Sequence, residues 1–152
     1  MSFIGRRRDR PRTRPAAETR YYERDGDILP ETTDVLLDTK RTLEVVFLDF
    51  STNDADCGLE IFPYKADGTL DTLLGIAHKS GFNPLTISPV SIRDHKSYLW
   101  NLLIDDEPTL SYKIEMVRPL PFANGVKIQV YNPEPIETKR LCCQVLVTYL
   151  GD

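Results

Sequence analysis

A period-two alternation of apolar and polar residues between Leu110 and Leu150 is the feature that most constrains the fold. Three stretches place an apolar side chain at every second position, which is the pattern of a half-buried β-strand. Proline-containing segments separate the stretches, so we expect three consecutive strands that form one antiparallel sheet. The alternating sets are Tyr112, Ile114 and Met116, then Val126, Ile128 and Val130, and then Leu141, Cys143, Val145, Val147 and Tyr149.

Earlier segments predict further strands. Thr42–Phe50 is rich in β-branched and aromatic residues, with apolar side chains on both faces, and predicts a central strand. An Asp-Gly turn predicts a hairpin between Leu59–Tyr64 and Thr69–Ala77. Ser97–Ile104 is short and apolar and predicts another strand. About eight strands, no strong helix and long irregular loops predict an all-β fold, an antiparallel β-sandwich of the jelly-roll kind.

Charge divides the chain into a basic beginning and an acidic remainder. Residues 1–20 carry seven arginines against two acidic residues, whereas the remainder carries 12 basic and 21 acidic residues. Residues 1–20 lack apolar periodicity, so we expect a basic arm without packed structure of its own. Residues 21–40 are interpreted as an extended neck that lies over the body, with room for a short strand at residues 34–38. Residues 41–152 are predicted to form a single β-sandwich domain.

The arginines of the arm are the predicted partner-binding residues. A guanidinium keeps its charge at physiological pH and offers forked donors that fit carboxylates and phosphates. Three uses stay open: clasping the acidic body of a neighbouring subunit, gripping a nucleic-acid backbone, or serving as a solubilising tail. The predicted residues are Arg6, Arg7, Arg8, Arg10, Arg12 and Arg14.

No motif predicts catalysis, a cofactor or a metal. The sequence contains no GxSxG, HExxH or CxxC and no glycine-rich phosphate loop, so we expect a protein that is not an enzyme. His78 and His95 lie apart and are expected at the surface. Adjacent Cys142 and Cys143 should point to opposite faces of one strand, and three cysteines do not form a disulfide framework. Without a signal peptide or an apolar span, the protein is expected in a cytosolic or assembled setting.

Two acidic loops and one tryptophan leave alternatives open. Asp54 and Asp56, or Asp105 and Asp106, could supply oxygen ligands for calcium, although acids that hydrogen-bond to turn backbone are the preferred interpretation. Trp100, with nearby tyrosines, could stack on a sugar if it faced outward. Its apolar neighbours favour packing in the core.

An arginine-rich arm, a neck and a single β body together resemble small viral or bacteriophage structural proteins of the jelly-roll kind. Residues 118–128 (RPLPFANGVKI) are also similar to strand-entry segments of virion and carbohydrate-active sandwiches. The resemblance implies many copies that assemble in the host cytoplasm and are located in the virion, at the capsid, portal or tail. A body this small favours a decoration, cement, connector or minor capsid role, with homo-oligomeric contacts and no membrane. The alternatives are a nucleic-acid-binding module and a carbohydrate-binding sandwich.

Overall fold

Ten strands and one short helix make up the described part of a computed structural model, which covers residues 17–72, 86–94 and 99–151. All strand pairs are antiparallel, and the fold is an all-β sandwich, as predicted. The elements are β1 (Glu18–Ile28), β2 (Thr32–Thr39), β3 (Leu43–Thr52), β4 (Gly58–Pro63), β5 (Thr86–Ile87), α1 (Pro89–Asp94), β6 (Trp100–Asp106), β7 (Ser111–Met116), β8 (Leu120–Phe122), β9 (Val126–Asn132) and β10 (Lys139–Tyr149).

The strands form two sheets. A six-stranded sheet has the order β1-β10-β3-β7-β6, and β8 pairs with the same strand β3 beyond the end of β7. A four-stranded sheet has the order β2-β9-β4-β5. Strand β3, which contains most of Thr42–Phe50, lies in the interior of the larger sheet, so its predicted central position is confirmed.

The core lies between the two sheets and is built from the alternating apolar positions. Phe50, Ile114 and Val145 come from the larger sheet, and Ile61 and Ile128 come from the smaller one; each is at most 1% exposed. The predicted inward sets of β7, β9 and β10 are all buried. The buried face of each strand could therefore be read from its alternation, because the pleat is a local property of the backbone.

The prediction that the last three long strands form one sheet is wrong. Strand β9 belongs to the smaller sheet, between β2 and β4, whereas β7 and β10 flank β3 in the larger sheet. Leu120–Phe122 adds a strand of its own to the larger sheet, and the chain passes to the smaller sheet at residues 123–125. It returns through the proline-containing β9–β10 connection. Alternation identifies the buried side of a strand and carries no information about its neighbours.

The segment interpreted as a neck belongs to the sheets. Strand β1 begins at Glu18, inside the predicted arm of residues 1–20, and pairs with β10 along its whole length. Strand β2 pairs with β9, so residues 21–40 are part of the sandwich. Ile28 and Leu37 reach the core and are 2% and 6% exposed. The polar composition concealed these strands because an edge strand with one solvated face needs few apolar residues.

The predicted turn after β4 is present, but a regular hairpin is not described there. The Gly68 amide donates to the Lys65 carbonyl at 2.9 Å, and a single bridge pairs Tyr64 with Leu70. The remainder of the expected second strand, residues 73–77, lies outside the described residues. The strand predicted at Ser97–Ile104 is confirmed from Trp100 and extends to Asp106.

Candidate partner-binding site

Strand β1 fixes the root of the arginine arm at one corner of the larger sheet. Glu18 faces Tyr149 in the register of β1 with β10, and Arg20 Nε and Arg41 donate to its carboxylate at 2.7 and 3.1 Å. Hydrogen bonds from Arg20 and then Arg41 lower the pKa of Glu18. The Arg41 guanidinium lies 4.1 Å from the centre of the Tyr149 ring. The arm therefore starts from a fixed position, and its predicted partner-binding arginines, numbered 6 to 14, lie outside the described residues.

The opposite end of the sandwich is organised by a buried amide that the sequence did not suggest. Asn132 is 1% exposed, and its Nδ2 donates to the carbonyls of Ile28 and Glu137, each at 2.9 Å. Its Oδ1 accepts from the Glu134 amide at 2.9 Å and from the Cys57 thiol at 3.5 Å. One side chain thus connects the end of β1, the β3–β4 loop and the β9–β10 loop.

This connection brings three carboxylates together. Oxygen atoms of Asp54, Asp56 and Glu134 lie within 4.8 Å of one another, and they form the one group of possible metal ligands found among the described residues. Repulsion from Asp54, burial and then Asp56 raise the pKa of Glu134. Lys139 lies 3.2 Å from Asp54 and offsets part of the charge.

The turn interpretation of the first acidic loop is partly supported. Asp54 Oδ1 accepts a hydrogen bond from the Asp56 amide at 2.8 Å, as expected of a turn acid. The Asp54 side chain is only 12% exposed, so it is not a solvated one. Three carboxylates contain at most six oxygens, the lower limit of the six to eight that calcium takes, and Lys139 pairs with one of the three. Glu134 was not foreseen as the third member, because it is distant in sequence.

The second acidic loop takes part in ion pairs with Arg93. Among the described residues, it is not part of a group of possible metal ligands. Asp105 and Asp106 end strand β6, and Glu107 follows in the turn. Arg93 of α1 donates through Nε to Asp105 at 2.8 Å and approaches Glu107 at 3.2 Å. The hydrogen bond from Arg93 lowers the pKa of Asp105. The sequence did not identify Arg93 as a partner.

An open groove of about 400 Å³ crosses the ends of β10, β3 and β7 on the outer face of the larger sheet and reaches Ile104 of β6. Ile104 and Leu110 supply apolar atoms to its lining, and Lys113, Arg140 and Cys142 supply polar ones. Ile104 and Leu110 are 45% and 52% exposed. The groove therefore presents apolar side chains to solvent next to cationic ones.

The three cysteines are thiols, and two of them are buried. Cys143 points into the core and Cys142 outward, as predicted for neighbours in one strand. Burial raises the pKa of Cys57 to about 12 and also raises the pKa of Cys143. Neutral buried thiols pack as small apolar groups, so these two are poor nucleophiles.

The aromatic platform considered for a sugar is not present at Trp100. Trp100 and Tyr112 are each 2% exposed, which confirms the preferred interpretation of core packing. Tyr98, His78 and His95 lie outside the described residues, so the expectation for the two histidines stays a prediction.

The geometry defines a class of protein: an antiparallel β-sandwich with a basic arm rooted at one corner and acidic surfaces on the body. No protein-family model and no curated protein matches this chain. Within the described ranges, no helix has the length and apolar character needed to cross a membrane.

Proposed function

We propose that this chain is a non-enzymatic structural subunit of a virion-like particle, in which a rigid jelly-roll body is fastened to its neighbours by its arginine arm. The observation that carries the proposal is the separation of charge. Six arginines precede Glu18, where the described sheet begins, while residues 21–152 carry 21 acidic against 12 basic residues. A basic segment rooted at the edge of an acidic body fits a neighbour of the same kind.

Nested strand pairing supports the jelly-roll part of the proposal. Strand β1 pairs with β10, β2 with β9, β3 with β7, and β4 with β5. A long antiparallel ribbon wrapped around a core produces this nesting, because its two ends pair first and each inner pair follows. Strand β6 adds one further strand beside β7.

Arginine chemistry supports specific clasping over diffuse attraction. The arm contains no lysine, and a guanidinium fork binds a carboxylate through two parallel hydrogen bonds. An arm that becomes ordered on contact loses conformational entropy, which these charge-assisted bonds offset. Many symmetric copies then turn weak single contacts into a stable assembly.

The test compares the full chain with a variant that lacks residues 1–16, by sedimentation velocity over a range of protein concentrations. We expect the full chain to self-associate at about 50 mM salt and to dissociate at about 500 mM, because salt screens the contacts of the arm. The deletion variant should stay monomeric at both. Self-association that is equal with and without the arm would contradict the proposal.

Nucleic-acid binding is the second candidate, because the same guanidinium groups fit phosphate. A matched variant with the six arginines that precede Glu18 changed to lysine keeps the positive charge and loses the paired guanidinium donors. Binding to labelled single-stranded or duplex DNA depends mainly on charge, so it should survive this change. Self-association of the lysine variant should be weaker than that of the unchanged chain, because paired hydrogen bonds to carboxylates are lost. Tight, salt-dependent DNA binding by both proteins, with no self-association of either, would favour the nucleic-acid function.

A further inference from the structure

The two outer edges of the larger sheet differ in how they are protected against pairing with a strand of another chain. Edge strands commonly carry charged residues that discourage pairing with another chain. Strand β1 follows this rule, since Glu18–Ile28 contains six charged residues. The opposite edge strand, β6, has none between Trp100 and Ile104. No strand among the described residues pairs with the outer edge of β6.

A β-bulge turns apolar side chains of β6 toward solvent. The register shifts between Leu102 and Ile104, so Leu102 faces Ile114 while Ile104 faces Lys113. Residues directly opposite in a sheet share a face, so Ile104 lies on the outer face with Lys113. In a regular strand, Ile104 would point inward like Leu102. Ile104 is instead 45% exposed, next to Leu103, which is 49% exposed.

Carboxylates surround this apolar surface. Strand β6 continues from Leu103 and Ile104 into an acidic end, Asp105–Glu107. The cations among the near neighbours are Arg93, Lys113 and Arg140. Glu115 faces Asn101 of β6, and Asp49 faces Glu115 one strand further in. The neighbourhood therefore holds five carboxylates against three cations, and its net charge is negative. The carboxylates are those of Asp49, Asp105, Asp106, Glu107 and Glu115.

The composition of the arm complements that of β6, and its apolar and charged residues follow one another in the same order along the chain. Phe3 and Ile4 are apolar, and the arginines begin at Arg6, so an apolar pair precedes a basic run. On β6, the apolar pair Leu103-Ile104 likewise precedes an acidic run. When the two segments run in the same direction, apolar residues meet apolar residues and arginines meet carboxylates.

We propose that the outer edge of β6 binds residues 1–16, the part of the arm that precedes β1, of a second copy of this chain. The inference rests on the proposed clasping function and adds its docking surface. The root of the arm is on β1, four strand spacings from β6, or about 19 Å across the sheet. Two copies placed edge to edge bring the root of one next to β6 of the other. Sixteen extended residues reach at most about 55 Å, enough to follow β6 along its length.

The first experiment changes the docking surface in the full chain and measures self-association by sedimentation velocity. Leu103→Lys with Ile104→Lys places cations where the arm is expected to dock, and it should weaken association at least about tenfold, as loss of a central contact does. The matched control is Val35→Lys with Ile136→Lys, whose side chains are 54% and 84% exposed on strand β2 and in the β9–β10 loop, outside the larger sheet. The control should associate like the unchanged protein. Circular dichroism and thermal unfolding establish that each variant is folded.

A second variant tests the acidic end of β6 and leaves its apolar residues unchanged. Asp106→Lys reverses an exposed charge at the end of β6 and should also weaken association, with a smaller dependence on salt. If both this variant and the double-lysine variant associate like the unchanged chain, the proposal that β6 is the docking surface is wrong.

Mixing establishes that the contact joins two copies. A chain without residues 1–16 keeps β6, and the Leu103→Lys, Ile104→Lys chain keeps its arm, so the mixture should form one-to-one complexes although neither protein associates alone. Failure of the mixture to do so overturns the inference. If deletion of the arm abolishes association while both β6 variants retain it, the arm clasps another surface and the proposed function stands. If deletion of the arm changes nothing, both proposals fail.

Discussion

Asn132 illustrates how single residues outside the alternating pattern organise the ends of the sandwich. Its buried amide pairs with two carbonyls, one backbone amide and the Cys57 thiol, which come from three segments. A buried polar group is costly unless it is hydrogen-bonded, so this arrangement holds the loops in one geometry. Two further features at the scale of single residues lead to measurable predictions. They are the Cys142 thiol on the outer face and the carboxylate cluster beside Asn132.

Cys142 should be the cysteine that reagents modify first. Its thiol donates to Asp25 Oδ1 at 2.8 Å, and burial followed by this hydrogen bond raises its pKa. We expect one slowly reacting thiol in the native protein at pH 8 with a disulfide reagent, and three after unfolding. Asp25→Asn removes the negative charge, lowers the pKa and should speed the native reaction severalfold. Cys142→Ser should abolish it; a native reaction that persists there would contradict the assignment.

Glu134→Gln should stabilise the protein at neutral pH. The pKa of Glu134 is raised, so the folded state binds its proton more tightly than the unfolded chain does, and ionisation destabilises the fold. The gain should be full above the raised folded pKa and should disappear as pH falls below the ordinary value of 4.5. Thermal unfolding between pH 3 and 7 measures it. Glu31→Gln, in the adjacent β1–β2 loop, is the control, and an equal gain there would point to general charge reduction.

At the scale of elements, the corner between the two sheets depends on Arg24. This residue lies in β1, and its side chain, 16% exposed, donates to the carbonyls of Leu141 at 2.8 Å and Asp27 at 2.7 Å. It also donates to the Asp34 carboxylate of β2 at 2.7 Å. One guanidinium thus joins β1, β10 and β2 where the chain passes from one sheet to the other.

Arg24→Ala should destabilise the protein by about 1–3 kcal/mol, because it leaves partly buried carbonyl groups without a donor. The free energy of unfolding in urea measures the effect. Arg20→Ala is the matched control in the same strand: its side chain is 57% exposed, and loss of its pair with Glu18 should cost less than about 1 kcal/mol. Equal losses in the two variants would mean that Arg24 acts only as a surface ion pair.

At the scale of the whole molecule, the proposed function assigns assembly to a part of the chain that lies outside the folded core. The described core draws on residues from Ile28 to Tyr149 and on both sheets. The basic charge of the arm lies before the first strand. We therefore expect the body to fold without its arm, so that salt or a competing anion would alter the proposed assembly without unfolding the subunit.

Deletion of residues 1–16 should therefore leave the free energy of unfolding within about 0.5 kcal/mol of the full chain, when both are measured at high salt and low concentration. Ile128→Ala in the full chain provides the opposite case, since Ile128 is fully buried and its truncation should cost about 2–5 kcal/mol. A large loss on deletion of the arm would show that the arm packs against its own body.

The sequence by itself determined the class of the fold and the buried face of its clearest strands. Tyr112, Ile128 and Val145 were assigned inward correctly, because alternation follows from the local pleat and requires no knowledge of neighbours. The opposite orientations of Cys142 and Cys143 followed from the same rule. The basic arm could also be read directly, since charge is a property of composition.

The tertiary structure alone decided which strands are neighbours and which distant residues meet. Strand β9 joined the other sheet, and the polar β1 and β2 became full strands, because pairing depends on connections between distant segments. Glu134 joined Asp54 through contacts that sequence spacing does not encode. Ile104 reached the surface because a bulge reversed its direction, and a bulge is set by the pairing of two strands together.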